Sequence, residues 1–332
     1  MSFHKETPKL LTNNISYSLI KNFIEVGPIC LIESQYKENV GMSFGTLFDD
    51  FLFDLTFNDK YKVINKIPSD TIIGLLKHLK VNYKDLYQKI KNNSLDETEW
   101  VVLNEIRLNL DIYKISKKVE TFQKYLDLNL IFEYINTDLK VLDVKTHDNL
   151  VRGRTTFINN SETGLILNPT NNIESLHQVS YKFPFLDETV RVIFDAIVID
   201  HNDKIIKPYD LKTGSTDIDK FDDAYIHFMY FIQDCLYNLA LQHLVITDKQ
   251  YEGYTIEPMK FIYFNRFNMD YLKIYQPDKT WFYKTIEGFD KYGINFPGIK
   301  RIIEDIKWHK QNEKYYFKRE YYEEEIIKIK FD

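Results

Sequence analysis

The chain has 332 residues, 44% of them hydrophobic, and its 24 Tyr and 24 Phe supply apolar surface for a sizeable core. The formal net charge is −6, so any surface for nucleic acid is a local groove rather than the whole exterior. Two cysteines, Cys30 and Cys235, exclude a disulfide framework and a cysteine-built zinc site, no apolar run is long enough for a membrane helix, and the first residues lack a secretory pattern, which together predict a cytoplasmic setting.

In chain order, residues 15–26 read as a helix capped by Ser16 or Ser18, with Leu19, Ile20, Phe23 and Ile24 on its apolar face and Gly27-Pro28 as its stop. Residues 41–54 form a second helical stretch, with Phe44, Leu47, Phe48 and Phe51 on one side and the acids Asp49 and Asp50 beside them. Residues 65–135 read as several helices, and 137–160 as another. Lys145, His147, Arg152 and Arg154 in the latter are either phosphate contacts or a solvated charged face. A loop and short strand are expected at 161–169, then an alternating strand over Gln178–Phe183.

Two strands follow. Residues 190–200 are rich in β-branched side chains, His201-Asn202-Asp203 is turn chemistry, and residues 204–214 form the return strand. Asp210 and Lys212, two apart, project from one face. Asp195 interrupts an apolar run, where a carboxylate is costly without a cation or a proton. A turn at 201–203 sets Asp195 roughly opposite Asp210, so two acids and a lysine converge. Such a set holds a divalent metal through oxygen ligands, to which the Leu211 carbonyl adds one more. Lys212 then orients or deprotonates a water, or neutralises transition-state charge. This is the chemistry of phosphodiester hydrolysis, and the competing reading is a surface hairpin carrying an Asp–Lys pair. Beyond it the pattern gives a long helix over 222–245, strands at 258–264 and 271–275, and a largely helical tail in which Lys314–Arg319 interleaves basic and aromatic residues.

Phe194-Asp195 followed by Asp210-Leu211-Lys212-Thr213-Gly214 resembles the core motif of the PD-(D/E)xK nuclease superfamily, in its RecB-like, phage-type exonuclease branch. Gln233 and Tyr237, about twenty residues downstream, resemble the Gln-x-x-x-Tyr motif of that branch and share a helix face at i and i+4. The Ser-x-Ser of residues 16–18 resembles the opening of such nucleases, with Gly27-Pro28 where relatives have Cys-Pro. Where many relatives have Gly-x-x-x-His, Gly45–Asp49 keeps the spacing and puts Asp in place of His. The four-cysteine iron–sulfur cluster of some relatives is excluded by the cysteine count.

The resemblance implies an α/β fold: one nuclease domain over 1–332, its mixed central sheet flanked by helices, with a helical insertion near 60–160, a catalytic core near 161–265 and a helical tail near 285–332. It implies catalysis by Asp195, Asp210 and Lys212, with Mg²⁺ or Mn²⁺ held by Asp195, Asp210, the Leu211 carbonyl and Asp49. Gln233 and Tyr237 bind the substrate, and Gln178, or less favourably Glu174, adds a polar group from the preceding strand. The expected activity is a DNA exonuclease acting on linear double-stranded ends in phage recombination or repair inside a bacterial host, with a single-strand annealing protein as partner and a homo-oligomeric ring as assembly. Two alternatives stay open: a nuclease fold that has lost activity and binds DNA or another partner, and a structural or host-interaction protein in which the triad is coincidental.

Overall fold

A computed structural model describes residues 10–11, 14–33, 40–54, 56–67, 70–92, 94–109, 134, 137, 139–291 and 293–323. It divides into two compact units: residues 1–53 with 153–332, and residues 54–152.

The first helix, α1 (Tyr17–Val26), starts where Ser16, in extended conformation, accepts a hydrogen bond from the Leu19 amide at 3.3 Å, and ends at Gly27, whose φ of +92° favours glycine. Its apolar residues Leu19 and Ile20 are buried. The second helix, α2, covers Val40–Phe53.

In the smaller unit the short helix α3 (Phe57–Lys60) leads into strand β1 (Tyr61–Ile64). Helices α4 (Asp70–Asn82), α5 (Lys84–Lys91) and α6 (Glu97–Asn109) come next, then strand β2 (Lys140–Asp143) and α7 (Val144–Asn159), whose residues from Gly153 onward belong to the larger unit. Leu75, Leu76, Leu79, Ile90, Trp100, Leu103 and Ile106 form the core that the 3.6-residue period demanded. Asp96 and Glu99 cap α6 reciprocally: Asp96 Oδ1 accepts from the Glu99 amide at 2.8 Å and Glu99 Oε2 from the Asp96 amide at 3.1 Å. The parallel pair β1–β2 was not expected, because four-residue strands offer too little alternation to register. The helix expected over 137–160 therefore begins only at Val144. The helical expectation for 110–133 lies outside the described residues.

In the larger unit, helix α8 (Gly164–Leu167) occupies part of the segment expected as loop and strand. The sheet then begins with β3 (Ile173–Phe185), β4 (Glu188–Asp200) and β5 (Ile205–Gly214). Helices α9 (Phe221–His227) and α10 (Tyr230–Thr247) replace the single helix expected over 222–245, and strands β6 (Thr255–Ile256), β7 (Lys260–Asn265) and β8 (Asn268–Tyr275) complete the sheet. The order is β3-β4-β5-β7-β8, with β6 pairing the start of β5. The pairings β3–β4, β4–β5 and β7–β8 are antiparallel, whereas β6 and β7 run parallel to β5. The β3–β4 turn uses Leu186 and Asp187, both with positive φ, as a two-residue hairpin requires. At the β4–β5 turn Asp200 Oδ1 accepts from the amides of Asn202 and Asp203 at 3.0 and 3.1 Å, and Lys204 takes the left-handed conformation.

The tail is less helical than expected. After α11 (Thr280–Glu287), the strands β9 (Phe289–Lys291) and β10 (Ile294–Phe296) pair antiparallel before α12 (Ile299–Asn312) and the short α13 (Glu320–Glu323). Helices cover both faces of the large sheet. Phe231, Ile232, Cys235 and Leu236 of α10 join Phe194, Phe261 and the isoleucines of α12 in the main core. On the other side Phe48 packs edge-on against Phe264, and Phe53 against Phe157. Ala196–Ile199, toward the end of β4, are all buried, as a strand segment sandwiched between helical layers requires. The result is a mixed α/β fold with a central, mostly antiparallel sheet flanked by helices. Among the described residues no helix is long and apolar enough to cross a membrane.

Candidate active site

The register of the β4–β5 hairpin runs from Asp200 opposite Ile205 to Ala196 opposite Tyr209 and stops there. One further step would set Asp195 opposite Asp210. On its other edge β5 pairs with β7, from Tyr209 opposite Lys260 to Gly214 opposite Asn265. The two acids therefore sit at the point where β4 and β5 part, which leaves backbone on that edge of β5 available. The Leu211 amide uses this freedom to donate to Asp195 Oδ2 at 2.7 Å. The vacated edge of β4 is bridged by Ile15: its amide donates to the Thr189 carbonyl at 2.8 Å, and its carbonyl accepts from the Arg191 amide at 2.7 Å. That bridge delivers α1 to the site.

Asp210 is 1% exposed. Its Oδ1 accepts from Gln233 Nε2, and its Oδ2 lies 2.5 Å from Lys212 Nζ. Gln233 Nε2 also lies 2.8 Å from the Tyr237 hydroxyl, which donates to the Ile193 carbonyl. Asp210, Gln233, Tyr237 and β4 are thus joined by one chain of hydrogen bonds, with Gln233 and Tyr237 on the shared helix face that their spacing predicted. Lys212 Nζ sits 4.7 Å over the Tyr230 ring, and the Tyr237 ring packs 4.5 Å from Phe194. Gln178 Nε2 donates to Asp195 Oδ1 at 3.3 Å from a residue with φ of +50°, inside a strand and opposite the acid. A left-handed non-glycine residue there is a local irregularity at the site. Glu174, the other candidate on that strand, pairs with His201 at 3.1 Å instead.

Electrostatics bind these groups together. Burial pushes Asp195 up to about 7, aided by the nearby Asp210 charge and opposed by Lys212, the Leu211 amide and Gln178. Burial also holds Asp49 well above the carboxylate range, with Asp195 and Asp210 next in weight, so α2 brings a third acid into the same field. For Lys212, burial works against the ammonium, but Asp210, Tyr230 and Asp195 outweigh it and hold the group well above its usual value. Lys212 is therefore a fixed cation in this arrangement. That state suits charge neutralisation and orientation of a water or phosphate.

The donor set fits a hard divalent cation. Asp49 Oδ1 and Gln233 Oε1 are buried without a hydrogen-bond partner, and Asp210 Oδ2 has only the ion pair with Lys212. These are oxygen atoms, and the repulsion that adds to the effect of burial on Asp49 and Asp195 is what a second positive charge would relieve. Among the described residues no three His, Cys, Asp or Glu side chains form a ready cage. The fit is thus one of donor chemistry, and it suits Mg²⁺, which keeps waters and uses only one or two carboxylates.

Sequence reasoning missed Tyr230 and Tyr17. Tyr230 was within reach, since positions 230, 233 and 237 trace one helix face. Tyr17, whose hydroxyl donates to the Phe228 carbonyl at 2.6 Å, senses the charges of Lys212 and Asp210, yet nothing local in its sequence marks it. Lys145 and Arg152 line an open depression of about 730 Å³ in the smaller unit, and Arg154 is exposed. In the tail, Lys314 and Arg319 stand over the Trp308 ring at 5.5 and 5.6 Å, while Tyr316 and Phe317 are exposed.

No family model and no curated protein matches the chain. A solved structure from Eubacterium rectale, described as "Putative exonuclease", is similar at 12% identity over 96% of this chain and 91% of that one, with a TM-score of 0.38.

Proposed function

We propose that the chain is a metal-dependent nuclease of the PD-(D/E)xK type that hydrolyses phosphodiester bonds in DNA. The observation that carries this reading is the convergence of Asp195, Asp210, Lys212 and the Gln233–Tyr237 pair where β4 and β5 part. A surface hairpin with an incidental Asp–Lys pair does not account for an acid that is 1% exposed and hydrogen-bonded to Gln233 of a separate helix.

Asp195, Asp210 and the Leu211 carbonyl would hold Mg²⁺ or Mn²⁺, with Asp49 as a further oxygen ligand. A divalent ion there supplies Lewis acidity toward the phosphoryl group. Lys212 offsets negative charge that grows on the phosphoryl oxygens in the transition state. Gln233 and Tyr237 fix the orientation of Asp210 and border the place of the scissile phosphate. Action on linear double-stranded ends, a role in phage recombination, a ring-shaped oligomer and an annealing partner are proposed from the resemblance of the motifs alone.

The test is digestion of linear and circular DNA with Mg²⁺ or Mn²⁺ by wild type and Lys212→Ala. Loss of linear DNA only, abolished in the variant, supports an end-dependent exonuclease; cutting of circles supports an endonuclease. A second reading, an inactive nuclease fold that binds DNA or another partner, draws on the Asp210–Lys212 pair and on the lack of a ready cage among the described residues. Titration calorimetry with Mn²⁺ separates the two, because the inactive fold takes up no metal.

A further inference from the structure

Helices α9 and α10 are separated by two residues without glycine or proline. Phe228 ends the first, and Met229, with φ of +58°, turns the chain into the second. The break leaves the Phe228 side chain 40% exposed. A single exposed phenylalanine is ordinary on a protein surface. This one is held from three directions. Its carbonyl accepts from the Tyr17 hydroxyl at 2.6 Å. Lys21 Nζ stands 5.4 Å from its ring centre, while also 3.7 Å from Glu25. Its ring lies 5.6 Å from that of Tyr230, the ring beneath Lys212 Nζ. The Tyr230 ring is therefore a shared neighbour of an exposed phenyl, which has an ammonium over it, and of the lysine that faces Asp210.

We infer that Phe228, with Lys21 over one side of its ring, is a stacking position for the nucleobase next to the phosphate held at Lys212. This inference rests on the nuclease reading and deepens it. A nucleotide carries its base about one ring's breadth from its phosphate, and an aromatic face with a neighbouring cation receives any base without reading its identity. The position thus binds a base unstacked from its neighbours, as at a frayed or single-stranded end, and requires that base rather than the backbone alone. The left-handed Met229 and the Tyr17 hydrogen bond keep the ring presented.

The test uses the full chain in EDTA, so that binding is read without hydrolysis. Fluorescence anisotropy is measured with a short labelled oligothymidylate and with an oligomer of equal length built from abasic residues. Stacking on an aromatic side chain predicts that Phe228→Ala weakens oligothymidylate binding by about 5- to 150-fold. Phe228→Leu, which keeps apolar bulk without a π-face, is expected to lose as much, and Phe228→Tyr to restore binding. All four proteins should bind the abasic oligomer equally. Equal oligothymidylate affinity for wild type and Phe228→Ala, in a protein that digests DNA with Mn²⁺, overturns the inference and leaves the nuclease reading standing. Equal losses on both oligomers also overturn it, because the effect would not depend on the base. A wild-type protein that neither digests DNA nor binds either oligomer overturns both.

Discussion

Replacing Asp195 by Asn should make the metal-free protein more stable at alkaline pH while abolishing hydrolysis. Burial, with Asp210 beside it, raises this acid from 3.8 to about 7. Below the unfolded value the group is protonated in both states and contributes nothing. As pH rises through the window between the two values the unfolded chain ionises first, and a penalty on the native state grows until it is complete above the folded value. At 1.36 kcal/mol per unit the full penalty is roughly 4 kcal/mol, and partial exposure of the side chain reduces it to about 2–3 kcal/mol. Asn removes the ionisation but serves the Leu211 amide and Gln178 less well than a carboxylate, a loss of about 1 kcal/mol. The expected net gain is about 1–2 kcal/mol at pH 8, shrinking toward zero by pH 5. Melting of both proteins in EDTA at the two pH values reads it directly. Saturating Mn²⁺ should reverse the order, since a ligand at a hundredfold excess over its Kd adds about 2.7 kcal/mol to the protein that binds it. Parallel stability profiles for the two proteins between pH 5 and 8, or equal stabilisation of both by Mn²⁺, would refute the reasoning.

Lys212→Ala leaves Asp210 and Asp195 facing each other without their cation. It should destabilise the metal-free protein by about 3 kcal/mol in urea unfolding and lower kcat by about 10²–10³-fold. Gln233→Ala removes the donor to Asp210 and the link to Tyr237, and is expected to cost about 1–3 kcal/mol and to slow hydrolysis more than it raises KM. Tyr237→Phe keeps the packing on Phe194 but leaves the Ile193 carbonyl without this donor, so a loss near 1 kcal/mol with little change in KM should appear in melts and steady-state assays. Gly153→Ala tests the far face of the sheet. The added methyl would lie 2.6 Å from Met269 Cε and 2.9 Å from Phe48, and the overpacking should lower stability by about 1–3 kcal/mol without touching the metal dependence of activity.

The parts of the site that were legible in the sequence are those whose logic is local. Two β-branched runs around Asp200–Asp203 force a hairpin, and the hairpin alone sets the register that brings Asp195 toward Asp210. The four-residue spacing of Gln233 and Tyr237 needs only a helix. What escaped depends on partners distant in sequence or on conformations that the residue types disfavour. Nothing in Phe228-Met229 signals a helix break, because the left-handed residue is a methionine. The hairpin of β9 and β10 was hidden although Gly288 and Gly293 both take positive φ, because three-residue strands carry almost no periodic signal. Tyr17 meets the site only because Ile15 bridges to β4, a contact between segments 175 residues apart that no local pattern encodes.

The parting of β4 from β5 also bears on the order in which the molecule comes together. The meander β3–β4–β5 closes through tight turns, so its local pairings are expected to form early, and β7, which follows α9 and α10 in the chain, is expected to join later. Asp195 and Asp210 can approach one another while still wet. Their dehydration, and the charge cost it imposes, waits for Gln233 and Phe261 to arrive from later in the chain. The electrostatic burden of the site thus falls after most of the backbone pairing around it has formed. Carboxylate substitutions here are expected to change the unfolding rate far more than the rate of folding.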